Sequence, residues 1–323
     1  MGKRRSSMEN MGLKVLVTGA TGFIGSNLVR KLIENNFEVY ILLRPNSTLG
    51  TKRVDKYSKV KKIYGDSKEL ISKVKELPMF DICYNLASYG VDYRQQDLDN
   101  ILDGNIKFTL DIIEFCSLNK TKLLIHTGSC FEYGINEIDL LNESEFINPQ
   151  SLYGSAKAAS VIMGNTYAKL KDVKMITVRP FGIYGINEGM HKLIPSIIKA
   201  VIKNESMKLT EGMQIRDYLY IDDLLDAYIK LSTNENIKPY EIFNVCSSKE
   251  TTIRDIVREI CEIANVDIGI FKFGEIPYRK NEVMRFVGDN SKILNQVKWS
   301  PKYSLRDGLK LTYDWYKENL EEM

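Results

Sequence analysis

The chain is poor in metal-binding and disulfide-forming residues: two histidines and five cysteines in 323 residues, with no C-x-x-C pair. Cys83, Cys116, Cys130, Cys246 and Cys261 are scattered and odd in number. Neither a disulfide framework nor a metal site is expected, and reduced thiols suit a cytoplasmic protein. An excess of one charge is also missing. Forty-five basic residues face 42 acidic ones, a net +3, and much of that lies in Lys3, Arg4 and Arg5 against Glu9 at the N-terminus. A nearly neutral body argues against a nucleic-acid surface. No apolar run approaches a membrane span, so no membrane partner is expected. The opening "MGKRRSSMEN" fits a loose M-G-x-x-x-S lipidation pattern, but reads more simply as a flexible basic tail over residues 1–11. There is no internal repeat and no low-complexity segment.

What is present is an ordinary globular composition, 44% hydrophobic and 27% charged, in a chain long enough for about two domains. Short apolar runs alternate with helical stretches. "LKVLVTG", "FEVYILL", "VKKIYG", "FDICYNLA", "KLLIHTGS" and "VKMITVRP" read as strands. "FIGSNLVRKLIENN", "ILDGNIKFTLDIIEFC" and "SLYGSAKAASVIMGNTYAKL" read as helices. Such alternation predicts an α/β doubly wound parallel sheet over residues 12–180. After Pro180 the rhythm breaks at Gly182, Gly185 and Gly189. Residues 181–323 are expected to form mainly a smaller α/β domain, with a segment near 214–246 returning to the first.

Between the first strand and helix lies "GATGFIG", with Gly19, Gly22 and Gly25 spaced G-x-x-G-x-x-G. Glycines there permit a sharp turn and let backbone N–H groups approach a pyrophosphate at a helix N-terminus. In this strand–turn–helix context Gly19, Thr21, Gly22, Phe23, Ile24 and Gly25 are candidate dinucleotide-binding residues. The second strand should end in an acid if it bonds a free ribose 2′-hydroxyl, yet no acid stands between Glu38 and Asp55. Arg44 takes that place, with Asn46 and Ser47 beside it. A guanidinium suits a 2′-phosphate, so NADP(H) is favoured, with NAD(H) left open.

"SLYGSAK" places Tyr153 and Lys157 four apart on a helix, hence on one face. An ammonium beside a phenol is expected to lower the tyrosine pKa and make it a usable acid or base.

"GATGFIG", "NLAS", "GSCFEYG", "YGSAK" and "RPFGIYG", in this order, resemble the extended short-chain dehydrogenase/reductase family, the NAD-dependent epimerases, dehydratases and reductases of nucleotide sugars. The resemblance implies a Rossmann domain, a C-terminal lobe for a nucleotide-diphosphate sugar, and a homodimer. It makes Tyr153 the acid/base and Lys157 the residue that holds the nicotinamide ribose and tunes Tyr153. Ser129, four residues before Tyr133, would bond the reacting oxygen. Asp66 would contact adenine, Leu86, Ala87, Ser88 and Pro180 would line the cofactor, and Asn105 would support the site. The C-terminal half resembles the abequose synthase type of CDP-sugar 4-ketoreductase. "IRDY" then implies Arg216 as a diphosphate ligand, and "RKNE" implies Arg279. Loops around Met190–Pro195, with Lys192 as a substrate ligand, and Lys208–Gly212 would meet the base, and Cys130 would form a pocket wall.

Sugar 4,6-dehydratases of this family carry an acid/base pair just after the Ser/Thr. Here Cys130 and Phe131 follow Ser129, with Glu132 one step out of register, so elimination lacks its machinery. GDP-fucose synthase uses a cysteine and a histidine, but Cys130 and His191 each miss those positions by one residue. His126 reads as a satisfied strand histidine. Two redox reactions remain: reduction of a 4-keto-6-deoxyhexose at C4, favoured by Arg44, the second half and Gly182 of "RPFGIYG", and 4-epimerisation with bound NAD. A non-catalytic NADP sensor of this fold would be expected to lose Tyr153 and Lys157, and both are present with Ser129.

Overall fold

A computed structural model describes residues 12–44, 51–92, 94–136, 138–279 and 282–322. The basic tail (residues 1–11) and the loop holding Asn46 and Ser47 lie outside the described residues. The rest clusters into two compact units. The first draws on Met1–Asn136, Phe146–Pro180 and Leu225–Phe243, the second on Glu137–Glu145, Phe181–Leu224 and Asn244–Met323.

The first unit is built on β1 (Lys14–Thr18), α1 (Phe23–Glu34), β2 (Glu38–Leu43), α2 (Lys52–Asp55), β3 (Lys61–Tyr64), α3 (Ser67–Ser72) and β4 (Ile82–Asn85). It continues through α4 (Leu98–Ile101), α5 (Phe108–Asn119), β5 (Leu123–Thr127), α6 (Leu152–Leu170) and β6 (Met175–Pro180). The parallel sheet expected from the sequence is present, in the order β11-β6-β5-β4-β1-β2-β3, where β11 is Ile242–Val245. β1 pairs in parallel with both β2 and β4. The winding therefore reverses at β1, and a crevice opens outside the carboxyl ends of β1 and β4, where ligands of such sheets bind. The inner strands β1, β4, β5 and β6 are buried on both faces, which is why they read as continuous apolar runs, while β3 at the sheet edge exposes Lys61, Lys62 and Tyr64. Leu16, Leu42, Ile63, Phe80, Cys83, Phe115, Cys116, Leu124 and Met175 form one core, and all five cysteines are free and buried.

The helix read as continuous through "ILDGNIKFTLDIIEFC" contains one π-helical stretch, Leu102–Lys107, between α4 and α5. There the Asn105 amide joins the preceding helical turn to the loop after β4. It donates to the Ile101 and Tyr89 carbonyls, each at 2.9 Å, and accepts from Tyr89 N–H at 3.3 Å. That pins the loop after β4, and π-bulges recur at functional sites.

The second unit contains β7 (Gly182–Tyr184), α7 (Leu193–Lys203), β8 (Met207–Lys208), β9 (Ile215–Arg216), β10 (Tyr218–Tyr220) and the first turn of α8 (Ile221–Thr233). It ends with β12 (Thr251–Thr252), α9 (Ile253–Ala264), β13 (Phe271–Lys272), β14 (Arg285–Phe286), α10 (Ser291–Val297) and α11 (Leu305–Asn319). Its pairings are short: β10 with β7, β12-β9-β14, and β13 with β8. A buried aspartate organises it. Asp217 accepts from Ser247 N–H and Oγ, each at 2.7 Å, from Ser248 N–H at 2.9 Å and from Gly288 N–H at 3.2 Å. Gly182 donates to the Asp217 carbonyl at 2.9 Å, and a Cβ on it would stand 2.6 Å from that oxygen. The glycine of "RPFGIYG" thus has a packing reason of its own.

Candidate active site

The site begins at the turn after β1. Gly19 has φ +67°, and a Cβ there would lie 2.6 Å from Ala87 N. Only glycine lets this turn lie against Leu86 and Ala87 after β4. Gly25, in the first turn of α1, is equally constrained, because a Cβ would stand 2.1 Å from the Gly19 carbonyl oxygen. Gly22 differs: it is exposed, and a Cβ would meet only Gly19 O at 3.3 Å. It is the N-cap of α1, with no side-chain cap and no acid in the first turn. These N–H groups stand at the positive end of a 12-residue helix, and the turn fits a pyrophosphate. Leu86 and Ala87 lie against Gly19, and Thr21, Phe23 and Ile24 belong to the same turn and the start of α1.

Ser129 stands just past β5 and Tyr153 at the start of α6. The Ser129 hydroxyl, and that of Ser88 from the loop after β4, act on the Tyr153 phenol to lower its pKa. Lys157 lies one turn further along α6, 2% exposed. The turn Cys130–Glu132 can rest on the helix start because Gly154 has no side chain. A Cβ there would be 2.5 Å from the Phe131 carbonyl oxygen. The rings of Phe131 and Tyr153 meet edge-on at 6.2 Å. Ser129 Oγ accepts the Phe131 N–H at 3.2 Å, which leaves its own proton and one lone pair for Tyr153 and a substrate oxygen.

Beneath this turn lies a pair that the motifs alone do not assign. Glu132 and Arg179 are 0% and 1% exposed and joined by Arg179 Nε donating to Glu132 Oε2 at 2.8 Å. Oε1 accepts the Ser129 N–H at 2.7 Å. Arg179 Nη1 donates to Tyr133 Oη at 3.0 Å, with the guanidinium 4.8 Å from the ring centre. A sequence signal exists for half of this, since Ser129–Glu132 spells the capping-box pattern S-x-x-E. None exists for its partner Arg179, on β6. Both carboxylate oxygens are engaged, so Glu132 does not replace the acid/base pair that elimination requires.

The electrostatics correct one expectation. The neighbouring lysine suggests a tyrosine pKa pulled down. Instead, burial pushes the Tyr153 phenol well above its ordinary range, against the Ser129 and Ser88 hydroxyls, which act to lower it. Burial lowers Lys157 to about 8, partly opposed by the Glu132 carboxylate. Burial also raises the Glu132 carboxyl, with Arg179 and the Ser129 N–H pulling the other way. At neutral pH Tyr153 is a proton donor. His126 is fully buried between Asn85 (3.3 Å) and Ser160 (3.2 Å). Burial and Lys157 keep it neutral.

The remaining candidates are placed as follows. Asp66, read as an adenine contact, spends Oδ1 on the N–H groups of Lys68 and Glu69, each at 2.9 Å, as the cap of α3. Arg44 is exposed at the end of β2. Arg53 on α2 donates to the Thr21 carbonyl at 3.3 Å, a second cation beside the glycine turn. Pro180 closes β6, buried. Cys130 is 7% exposed beside Ser129. In the second unit Lys192 holds the N-cap position of α7 without a side-chain cap, and Arg216 pairs with Glu282 at 2.7 Å. Glu282 N–H bonds the Arg279 carbonyl at 3.0 Å, so the "IRDY" and "RKNE" segments meet. Among the described residues no group of histidine, cysteine and carboxylate side chains could hold a metal, and no helix is long and apolar enough to cross a membrane.

Known proteins share this sequence pattern and this fold. The model of the NAD dependent epimerase/dehydratase family matches residues 15–246. A candidate UDP-glucose 4-epimerase of Methanocaldococcus jannaschii is 30% identical over 94% of this chain and 99% of its own. CDP-abequose synthase of Salmonella typhimurium is 27% identical over 91% and 95%. The trifunctional UDP-glucose 4,6-dehydratase, 3,5-epimerase and reductase of Arabidopsis thaliana is 26% identical over 95% of this chain, which spans only 47% of that longer protein. Among solved structures, UDP-glucose 4-epimerase of Thermotoga maritima superposes with a TM-score of 0.86 at 24% identity, covering 95% and 100%, and so shares the fold.

Proposed function

The chain belongs to the NAD dependent epimerase/dehydratase family, and we propose that within it this protein reduces the C4 ketone of a nucleotide-diphosphate 4-keto-6-deoxyhexose, a step of deoxysugar formation, with NADPH as the favoured reductant. The observation that carries this reading is Tyr153, a protonated phenol beside Ser129, in a cluster whose carboxylate, Glu132, has both oxygens engaged. That set can deliver a proton to an alkoxide. It offers no acid and base for removing water.

The nicotinamide, when bound, supplies the hydride. Everything else falls to side chains of this chain. The Ser129 hydroxyl polarises the C4 carbonyl by donating to its oxygen. The Tyr153 phenol gives that oxygen its proton as negative charge develops there. The Lys157 ammonium stabilises the phenolate left behind. Arg44 at the end of β2 and Arg53 beside Thr21 support recognition of a 2′-phosphate, and Arg216 and Arg279 support binding of the sugar diphosphate. The likeness to CDP-abequose synthase supports the same reaction class.

The likeness to a candidate UDP-glucose 4-epimerase supports a second reading, epimerisation at C4. That reaction would use the same Ser129, Tyr153 and Lys157 set, with Tyr153 first taking and then returning a proton. The test is to mix the protein with NADPH or NADH and a panel of nucleotide 4-keto-6-deoxy sugars and follow the reduced-nicotinamide absorbance. Consumption with one keto sugar, lost in Tyr153→Phe, supports the reductase. Co-purifying NAD with interconversion of UDP-glucose and UDP-galactose overturns it.

A further inference from the structure

We propose that Glu132 is a positioning residue for the reaction: its buried carboxylate, clamped by Arg179, fixes the Ser129 main chain and fixes the charge that faces Tyr153 and Lys157. The inference rests on reading Ser129, Tyr153 and Lys157 as the reacting set, and applies to reductase and epimerase alike.

The geometry exceeds what a loop needs to stay in place. A buried ion pair is weak evidence for stability, since well-packed apolar residues of similar size often hold a fold as well. Here the carboxylate has a specific task at each end. Oε1 takes the Ser129 N–H at 2.7 Å, and Oε2 takes Arg179 Nε at 2.8 Å. Arg179 is itself fixed by Tyr133 at 3.0 Å. Gly128 is cut to fit, because a Cβ there would stand 2.4 Å from Glu132 Oε1. The clamp therefore runs from β6 through Glu132 to Ser129, whose hydroxyl meets the substrate oxygen beside that of Tyr153.

The carboxylate also acts through space. Its charge opposes ionisation of Tyr153 and favours protonation of Lys157. The groups packed around it are Arg179 on β6, Tyr133 and Cys130 on its own turn, and Tyr153 and Lys157 on α6, with His126 on β5 facing Lys157. Of these, Glu132 is the anion and Arg179 its counter-ion. A neutral amide would keep the acceptor for Ser129 and lose the charge.

The experiment compares wild type with Glu132→Gln. The expected result is a kcat lower by about tenfold or more with KM changed less than about threefold. The alkaline limb of kcat/KM should move to lower pH by about half a unit or more. Glu132→Asp, charged but shorter, should restore the limb without restoring kcat. The titration of Lys157, followed by NMR of 13Cε-lysine protein and assigned with Lys157→Arg, gives the same shift without any substrate. If no keto sugar is reduced by wild type, the reductase reading fails while this titration still decides the role of Glu132. Should Glu132→Gln not fold, the doubly neutral Glu132→Gln, Arg179→Met protein carries the same expectations. A variant that melts earlier but keeps the limb, the Lys157 titration and kcat would show a structural role only and overturn the proposal.

Discussion

Gly154 stands so close to Phe131 that a Cβ on the glycine would lie 2.5 Å from the Phe131 carbonyl oxygen. The contact seats the Ser129 turn on the first turn of α6 and so brings Ser129 to Tyr153. Backbone must move to admit a methyl group there. Gly154→Ala is therefore expected to fold and to lose about 10–100-fold in kcat, because a displacement of about 1 Å at reacting groups costs that much. Steady-state kinetics beside a melting curve checks it. An unchanged kcat would show that the seat does not set the Ser129–Tyr153 geometry.

Lys157 titrates inside the working range. Burial holds it to about 8, so the ammonium is present below that pH and lost above it. The expected kcat/KM falls about tenfold per pH unit above roughly pH 8. Lys157→Arg should remove that limb, since a guanidinium does not deprotonate there. A profile from pH 6 to 10 that stays flat in wild type would contradict the assignment.

Arg44 stands exposed where an acid would favour NAD. Arg44→Asp is expected to shift the ratio of kcat/KM for NADPH over NADH toward NADH by about tenfold or more, through loss of one charge-assisted contact and gain of a 2′-hydroxyl acceptor. Equal ratios in wild type and variant would remove the support for 2′-phosphate recognition.

Glu188 gives a stability signature separate from catalysis. Its Oε2 is buried without a hydrogen-bond partner, and burial pushes the carboxyl from 4.5 up to about 8. The native state thus holds a proton that the unfolded chain releases near its ordinary value. That contribution is fully present below about pH 4.5 and lost as pH rises through 8. Glu188→Gln, neutral throughout, should gain on wild type between pH 5 and pH 9 by on the order of 2–4 kcal/mol. Urea unfolding at both values measures it, and an equal difference at each would contradict the shift.

Much of the fold and of the site is legible in the amino-acid sequence alone, for identifiable reasons. Gly19, Gly22 and Gly25 declare themselves by spacing, and at Gly19 and Gly25 a tight turn and a close helix admit nothing larger. Tyr153 and Lys157 share a face because a helix repeats every 3.6 residues. Ser129 is reached only through the family resemblance, which implies a Ser or Thr four residues before Tyr133. What stays hidden depends on contacts between distant segments. Arg179 meets Glu132 across 47 positions, and no local pattern announces that pairing. Asp66 reads as a ligand, while its cap of α3 shows only once the helix start is placed. The Tyr153 shift runs opposite to expectation because a neighbouring lysine is visible in sequence and the depth of burial is not. Gly182 reads as a mark of the reaction, yet its packing against the Asp217 carbonyl is a sufficient reason for it.

The central claim is net reduction at C4 by a set led by Tyr153. It is tested most directly by supplying NADPH deuterated at the transferred position with an accepted nucleotide 4-keto-6-deoxy sugar and reading the product by NMR and mass spectrometry. The predicted product carries one deuterium, at C4, with one NADPH oxidised per sugar, and none forms with Tyr153→Phe. A product that carries no deuterium, formed without net NADPH oxidation while C4 epimers interconvert, would contradict it.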